Sequence, residues 1–286
     1  MDLKSIITLQ NHDGGWPYHK AGGSCTEPTV FALLAQLVSK GDPQSMERGF
    51  TWIRAAQRQD GGWPPRPSVA QTTWITALVA LLPRDVLGRT HFASAVEWLM
   101  GLTGQETSFV YRLRNELLSG DISNAAEARG GWPFIPGAAA WVTPTTFSIL
   151  ALEKARRFDT TGRIQQRIEA GRWFLIDRIC KDGGWNYGRS RVLGVEAESY
   201  PETTGQALLA LNRLQPPYLE KALAAAQEQA RRCQSSEGLS WLQLGLQVHG
   251  IIAEGPGRQL LCRHVVDSSL QVLAQAALHG NNVFLE

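Results

Sequence analysis

Two carboxylates hold equivalent places in the sequence and are the residues best suited to acid chemistry. Glu27 and Glu202 each stand five residues before a run of small apolar residues, at 32–35 and 207–210 respectively. A carboxyl group that an apolar setting keeps protonated can donate a proton to a substrate. A carboxylate in the first turn of a helix is also favoured by the helix dipole alone, without any further role. Both interpretations apply to Glu27 and Glu202.

The loop ahead of Glu202 carries side chains that could bind a ligand, namely Tyr187, Arg189, Arg191 and Tyr200. Guanidinium groups suit an anionic head group such as a diphosphate, because they offer several donors in one plane. The same arginines could instead pair with the glutamates of their own loop as solvated charges. We therefore expect a binding loop here, with the role of its arginines open.

Large aromatic residues accompany the small apolar runs: Phe31, Trp74, Trp141, Phe147 and Trp241. If the helices that carry them surround a cavity, their rings could line it and stabilise a positively charged ligand through their π faces. Large aromatics at helical spacing are also common in an ordinary core. The sequence predicts substrate-lining roles for Phe31, Trp74, Phe147 and Trp241, with the core as the alternative.

A repeated unit must position these residues. The triplet Gly-Gly-Trp occurs four times, ending at Trp16, Trp63, Trp132 and Trp185. Each copy lies between two helix-like stretches, and glycine supplies the positive φ that ends a helix. Units of this kind bury their apolar faces by stacking on their neighbours. We expect the four tryptophans to be structural and to pack between successive helix pairs.

Two degenerate units complete the pattern. Inner helices are predicted to begin near Glu27, Thr72, Thr143, Glu202, Gly238 and Asp267, and the last two would have outer partners at about 217–234 and 257–265. An insertion is predicted at about 104–128. Because an open stack would need polar caps, the six pairs are expected to close into a ring. The predicted fold is all-α, an (α/α)6 toroid of six inner and six outer helices in a single domain over 1–286.

The segments 10–16 and 57–63 resemble the Q-x-x-D-G-G-W repeat of the squalene–hopene cyclase, terpenoid cyclase and protein prenyltransferase superfamily. The resemblance implies protonation-initiated cyclisation or isomerisation of a hydrophobic, isoprenoid-like molecule in an apolar central cavity. In those cyclases the acid comes from a D-x-D-D-T-A segment, and the matching stretch here places Glu202 on the proton donor. Thr203 replaces the last Asp of that segment, and the first Asp has no counterpart. The alternative is a non-catalytic barrel that holds a lipid or a peptide.

Composition and missing motifs exclude several other classes. A formal charge of +2 without a basic run gives no reason to bind nucleic acid. No apolar stretch reaches the roughly 18 residues of a membrane span. Four isolated cysteines suit a reducing compartment, so a cytoplasmic protein is expected. No metal and no cofactor are predicted, since neither DDxxD nor Asp-x-Cys occurs and the spacing of His12, Asp13, His19 and Cys25 fits no standard zinc pattern.

Overall fold

The computed structural model describes residues 3–105, 130–192, 195–214 and 219–285, and these residues form mainly helices. The helices in chain order are α1 (Leu3–Thr8), α2 (Thr26–Val38), α3 (Pro43–Ala55), α4 (Ile75–Val79), α5 (Arg84–Leu87), α6 (Arg89–Gly101), α7 (Val142–Arg156), α8 (Arg163–Asp177), α9 (Pro201–Ala210), α10 (Glu220–Arg232), α11 (Ser236–Gln247) and α12 (Val265–Leu278). Two small antiparallel hairpins pair β1 (Trp132–Pro133) with β2 (Ala140–Trp141) and β3 (Arg191–Val192) with β4 (Val195–Glu196).

Six of these helices form a closed inner ring. The ring order is α2, α4, α7, α9, α11 and α12, and each helix packs against the next. The ring closes because α12 packs against α2 as well as α11. Each inner helix begins at most three residues from its predicted start. The all-α, (α/α)6 toroid fold is therefore confirmed.

Outer helices surround this ring, with one departure from the predicted pattern. Helices α1, α3, α6, α8 and α10 pack against the inner helices on the outside. The predicted outer helix at 257–265 does not form, and residues 251–264 run as an irregular segment. Pro256 disfavours helical geometry in the residue before it, and Gly257 has a φ of 66°. The predicted insertion lies, from residue 106 onward, outside the described residues.

Three of the four Gly-Gly-Trp turns, those ending at Trp16, Trp63 and Trp185, are held by the same set of contacts. Gly14 ends its turn with a φ of 95°, a conformation that side-chain-bearing residues rarely adopt. The Asp13 carboxylate accepts hydrogen bonds from the Gly15 backbone N–H at 3.0 Å and the Ser24 hydroxyl at 2.7 Å. Asp60 and Asp182 make the corresponding contacts in their own turns. The repeat in sequence is therefore a repeat in hydrogen bonding.

The repeat tryptophans tie each outer helix to the inner helix that follows. The backbone N–H of Trp63 donates to the Thr76 hydroxyl of the inner layer at 2.9 Å, and its indole N–H donates to the Ile53 carbonyl of α3 at 2.7 Å. The other three tryptophans repeat both bonds. All four are fully buried. Their predicted structural position is confirmed.

Aromatic side chains fill the centre of the ring. The ring centroid of Trp241 lies 5.9 Å from that of Phe31, 5.4 Å from that of Phe147 and 5.6 Å from that of Phe284. Each of these four side chains is 1% exposed, so they pack as core. The C-terminal segment brings Phe284 into this cluster, where the buried Lys154 amine donates to the Val283 carbonyl at 2.6 Å.

Within the parts of the chain that the structure describes, no helix combines the length and the apolarity that a membrane crossing requires.

Candidate active site at the mouth of the ring

Four carboxylates gather at one end of the ring. They occupy the first turns of four consecutive inner helices, and we call them the carboxylate rim: Glu27 on α2, Glu202 on α9, Glu237 on α11 and Asp267 on α12. Because these helices are neighbours in the closed ring, residues from both ends of the chain meet here. The partial positive charge of each helix N-terminus favours a carboxylate at this position.

Two glycines bring the central part of the rim together. A Cβ atom on Gly205 would lie 2.3 Å from the Trp241 carbonyl oxygen, and one on Gly245 would lie 2.4 Å from the Gly205 carbonyl oxygen. Helices α9 and α11 therefore touch backbone to backbone, which no larger residue would allow. One consequence is that the Glu202 carboxylate reaches the first turn of α11, where a Cβ on Gly238 would lie 3.1 Å from its Oε1.

Glu237 is the electrostatic centre of the rim. Its half-buried position raises its pKa, and the negative charges of Asp267, Glu202 and Glu27 raise it further, to about 7. The buried Trp241 indole lies beneath Glu237 and opposes this shift by favouring the charged form. Among the described residues, the Trp241 Nε1 has no hydrogen bond of normal geometry. Glu237 therefore holds a transferable proton near neutral pH, beside three other carboxyl groups.

Asp267 is held in place by its neighbours. It is 4% exposed, and its carboxylate accepts a hydrogen bond from the Arg263 backbone N–H at 2.8 Å. The Nδ1 of His264 accepts from the Asp267 backbone N–H at 3.3 Å, so the neutral imidazole carries its hydrogen on Nε2, which lies 3.3 Å from the Asp267 carboxylate. Burial lowers the pKa of His264, although the charge of Asp267 opposes that effect. This network fixes one carboxylate of the rim beside Glu237.

Glu237, His264 and Asp267 are also the described residues that come nearest to a metal site. One ligand atom from each lies within 4.8 Å of the others. The hydrogen bond between His264 and Asp267 already accounts for their proximity. His12 is exposed, and the Asp13 carboxylate accepts hydrogen bonds within its own turn.

Tyr18 links the start of α2 to the start of α12. Its hydroxyl donates a hydrogen bond to the Glu27 carboxylate, and its ring meets the His264 ring edge-on at 6.1 Å between centroids. The Tyr18 carbonyl accepts from the Val265 backbone N–H at 3.1 Å, which ties its loop to the start of α12. Burial and the charge of Glu27 raise the pKa of Tyr18, so it stays protonated as a donor. Burial raises the pKa of Glu27, and the bond from Tyr18 opposes that effect.

An open pocket of about 410 Å³ adjoins the rim. Three partly exposed aromatic side chains dominate it, and we call them the aromatic shelf: Trp141, Tyr187 and Tyr200. The remaining lining residues are small or polar, namely Ala139, Ala140, Arg178, Asn186, Gly188, Arg189, Ala197 and Glu198. Burial raises the pKa of Tyr187, and the nearby charges of Glu202 and Glu237 raise it further, so Tyr187 lies close to this part of the rim.

The predicted site residues fall into three groups. Glu27 and Glu202 lie in the rim, whereas Tyr187, Tyr200 and Arg189 line the pocket. Phe31, Phe147 and Trp241 lie in the filled centre, and the half-buried Trp74 packs against Phe134 and Phe147. Arg191 belongs to β3, and its side chain lies outside the described part.

Sequence reasoning missed Glu237, Asp267, Tyr18 and His264 as site residues. The signal for the first two was available, because each occupies the first turn of an inner helix, as Glu27 and Glu202 do. Their units lack the Gly-Gly-Trp triplet that drew attention to the others. Tyr18 and His264 come together only when the ring closes, so no local sequence pattern predicts their contact.

Comparison with solved structures identifies the fold over the whole chain. A family 76 glycoside hydrolase (mannosidase) from Bacteroides thetaiotaomicron has a TM-score of 0.62 at 12% identity, covering 96% of this chain and 95% of that one. A family 76 α-mannanase from the same organism scores 0.61 at 10% identity, covering 98% and 94%. A family 8 endo-β-1,4-glucanase from an Achatina fulica gut metagenomic library scores 0.60 at 14% identity, covering 97% of each chain. At these identities the likeness establishes the toroid fold.

Sequence comparison gives a shorter match. A drimenyl diphosphate synthase from Streptantibioticus cattleyicolor is 35% identical over 65 residues, which cover 23% of this chain. The matched region is 12% of the length of that enzyme. No protein-family model matches the chain.

These findings correct the functional hypothesis. Protonation-initiated cyclisation or isomerisation of an isoprenoid in an apolar central cavity is wrong, because the enzymes that share the fold over the whole chain are glycoside hydrolases. The structure supplies a physical reason: Phe31, Phe147 and Trp241 fill the centre instead of lining a cavity there. The alternative, a non-catalytic barrel for a lipid or a peptide, is corrected by the same comparison, since those whole-chain neighbours are enzymes.

Proposed function

We propose that the protein is a glycoside hydrolase whose reaction takes place at the carboxylate rim, with Glu237 as the general acid. The observation that carries this proposal is the convergence of four carboxylates on one open mouth. Hydrolysis of a glycosidic bond uses two carboxyl groups, one that donates a proton and one that stays charged. The toroid neighbours, which are mannan- and glucan-degrading enzymes by description, support the same reaction class.

Asp267 is the second carboxylate of the proposed pair. Oxygen atoms of Glu237 and Asp267 lie within 4.8 Å of each other, which leaves no room for a water molecule between a sugar and its base. Inverting enzymes separate their carboxyl groups by about 6.5–9.5 Å, whereas retaining enzymes hold them at about 5–5.5 Å. The short separation favours a retaining reaction, in which the second carboxylate is the nucleophile.

The proposed reaction has two steps. In the first step Glu237 gives its proton to the glycosidic oxygen as the bond from that oxygen to the anomeric carbon breaks and Asp267 bonds to the same carbon. In the second step water attacks the anomeric carbon, Glu237 takes a proton from that water, and the Asp267 carboxylate is released. His264 positions Asp267, because its Nδ1 accepts a hydrogen bond from the Asp267 backbone N–H and its Nε2 lies 3.3 Å from the Asp267 carboxylate.

The test is release of reducing sugar from mannan and from mixed-linkage β-glucan by the wild-type protein, by Glu237→Gln and by Glu220→Gln. Glu220 is a matched control, because it also lies in the first turn of a helix but is exposed on the outer layer. We expect hydrolysis of at least one glycan, a loss of about 10²–10⁴-fold in Glu237→Gln and no change in Glu220→Gln. Equal rates for wild type and Glu237→Gln would remove Glu237 from the mechanism. Hydrolysis of neither glycan by the wild type would count against the proposed function.

We also propose that the Gly-Gly-Trp repeats share an origin with those of the terpenoid cyclase and protein prenyltransferase superfamily. The 65-residue match to drimenyl diphosphate synthase supports this kinship. So does the recurrence of the aspartate hydrogen bond in three of the four turns and of the tryptophan hydrogen bond in all four. This proposal concerns the scaffold, since a shared fold hosts different reactions.

A further inference from the structure

We propose that the aromatic shelf binds a glycan chain of two or more sugars and feeds it to the carboxylate rim. The inference rests on the proposed function and adds the substrate class, an oligosaccharide in place of a simple glycoside. It begins from the unusual exposure of the three rings. Trp141, Tyr187 and Tyr200 are 39%, 45% and 46% exposed, and large exposed aromatics that cluster in a pocket mark a binding surface.

The shelf is held rigidly. The Tyr187 carbonyl accepts a hydrogen bond from the Val142 backbone N–H at 2.9 Å, which fixes the loop to the start of α7. Asn186 spans its own turn, accepting from the Gly188 N–H at 2.9 Å and donating to the Arg189 carbonyl at 2.9 Å. A site that is rigid before binding loses little entropy when the ligand arrives.

Close packing sets the orientation of the rings. A Cβ on Gly188 would lie 3.2 Å from the Trp141 ring, so the loop backbone lies directly against that indole. Tyr187 stacks obliquely on Tyr200, with ring centroids 5.3 Å apart and planes tilted by 37°. Trp141 rests in turn on Phe134 at 5.9 Å. The three rings thus form one continuous surface.

This surface matches the two-sided chemistry of a pyranose. The C–H face of a sugar ring is apolar and weakly positive, and it suits the negative π face of an aromatic ring. Sugar hydroxyl groups need hydrogen-bonding partners at the edge, and the exposed Glu198 carboxylate borders the shelf. A purely apolar ligand would offer this carboxylate no hydrogen bond in place of the water that it displaces, which costs free energy.

The position of the shelf beside the rim determines the direction in which a bound glycan would run. Tyr200 is the residue that precedes α9, and Glu202 lies in the first turn of that helix. The charges of Glu202 and Glu237 act on Tyr187. A chain that stacks on Trp141 and Tyr187 therefore continues across Tyr200 to Glu237, where the next glycosidic bond would be cleaved.

Isothermal titration calorimetry tests the shelf separately from catalysis. The ligands are mannotetraose and cellotetraose, with mannose and glucose as single-sugar comparisons, titrated into Glu237→Gln to prevent turnover. Trp141→Ala is made in this background, together with Trp173→Ala as a matched control. Trp173 is also exposed, at 48%, but lies on the outer helix α8 and does not line the pocket.

We expect one tetrasaccharide to bind, roughly tenfold weaker binding to Trp141→Ala and unchanged binding to Trp173→Ala. Equal affinity in the Trp141→Ala variant overturns the shelf, even if the wild type hydrolyses glycans. Binding of monosaccharide as tightly as tetrasaccharide also overturns it. Tetrasaccharide binding that depends on Trp141, without hydrolysis by the wild type, keeps the shelf and removes the proposed catalysis.

Discussion

The tryptophan of a Gly-Gly-Trp turn is the residue whose removal best probes how the ring is held together. Trp63 is fully buried, and truncating it to alanine deletes its ring from the junction between α3 and the inner layer. Loss of a buried Trp side chain costs about 3–5 kcal/mol of unfolding free energy. Trp63→Phe fills most of the space but removes the donor to the Ile53 carbonyl, which costs about 1–3 kcal/mol.

Thermal unfolding followed by circular dichroism measures both effects. A change of 1 kcal/mol moves Tm by about 2–4 °C in domains of 150–250 residues. We therefore expect Trp63→Ala to lower Tm by roughly 6–20 °C and Trp63→Phe to lower it by a smaller amount. Trp173→Ala, at an exposed site, should change the unfolding free energy by no more than about 0.5 kcal/mol. Equal Tm values for Trp63→Ala and Trp173→Ala would refute the structural role of the repeat tryptophan.

Two further predictions concern Glu237 in the rim and Lys154 near the end of α7. Glu237 acts as the acid only when it is protonated, and its pKa is about 7. We therefore expect kcat/KM for glycan hydrolysis to fall as the pH rises through about 7. A kcat/KM that keeps rising above pH 7 would contradict the role of Glu237 as the acid. Lys154→Met keeps the length of the side chain but removes the donor to the Val283 carbonyl, so hydrogen exchange across residues 279–285 should become faster and Tm should fall. Unchanged exchange in Lys154→Met would show that this lysine does not hold the C-terminal segment.

Local sequence patterns predict the inner ring well, because each pattern corresponds to a specific backbone conformation or hydrogen bond in the structure. The glycine pair ends one helix, and the following tryptophan locks the next helix in place, so the inner helices begin close to their predicted starts. The outer partner at 257–265 does not form, and Gly257 at its start has a φ of 66°, which is outside helical geometry. The single domain over 1–286 and the cytoplasmic location stay predictions.

Only two of the four rim carboxylates could be predicted from the sequence, because the site forms when the ring closes. Glu27 and Glu202 stood out next to a repeat, whereas Glu237 and Asp267 belong to units in which the repeat has decayed. The filled centre was not predictable from the aromatic spacing, since Phe284 reaches it from the far end of the chain. Because of that contact, residues expected to line a cavity are core instead.

The most direct test of acid catalysis at the rim compares Glu237→Gln with wild type on two substrates that share one sugar. One is the unmodified oligosaccharide that the wild type cleaves, and the other is an aryl glycoside whose dinitrophenolate leaving group needs no proton. If Glu237 is the general acid, kcat/KM for the oligosaccharide falls by about 10²–10⁴-fold, and kcat/KM for the aryl glycoside stays near the wild-type value. Equal losses on both substrates, or no loss on either, would contradict that assignment.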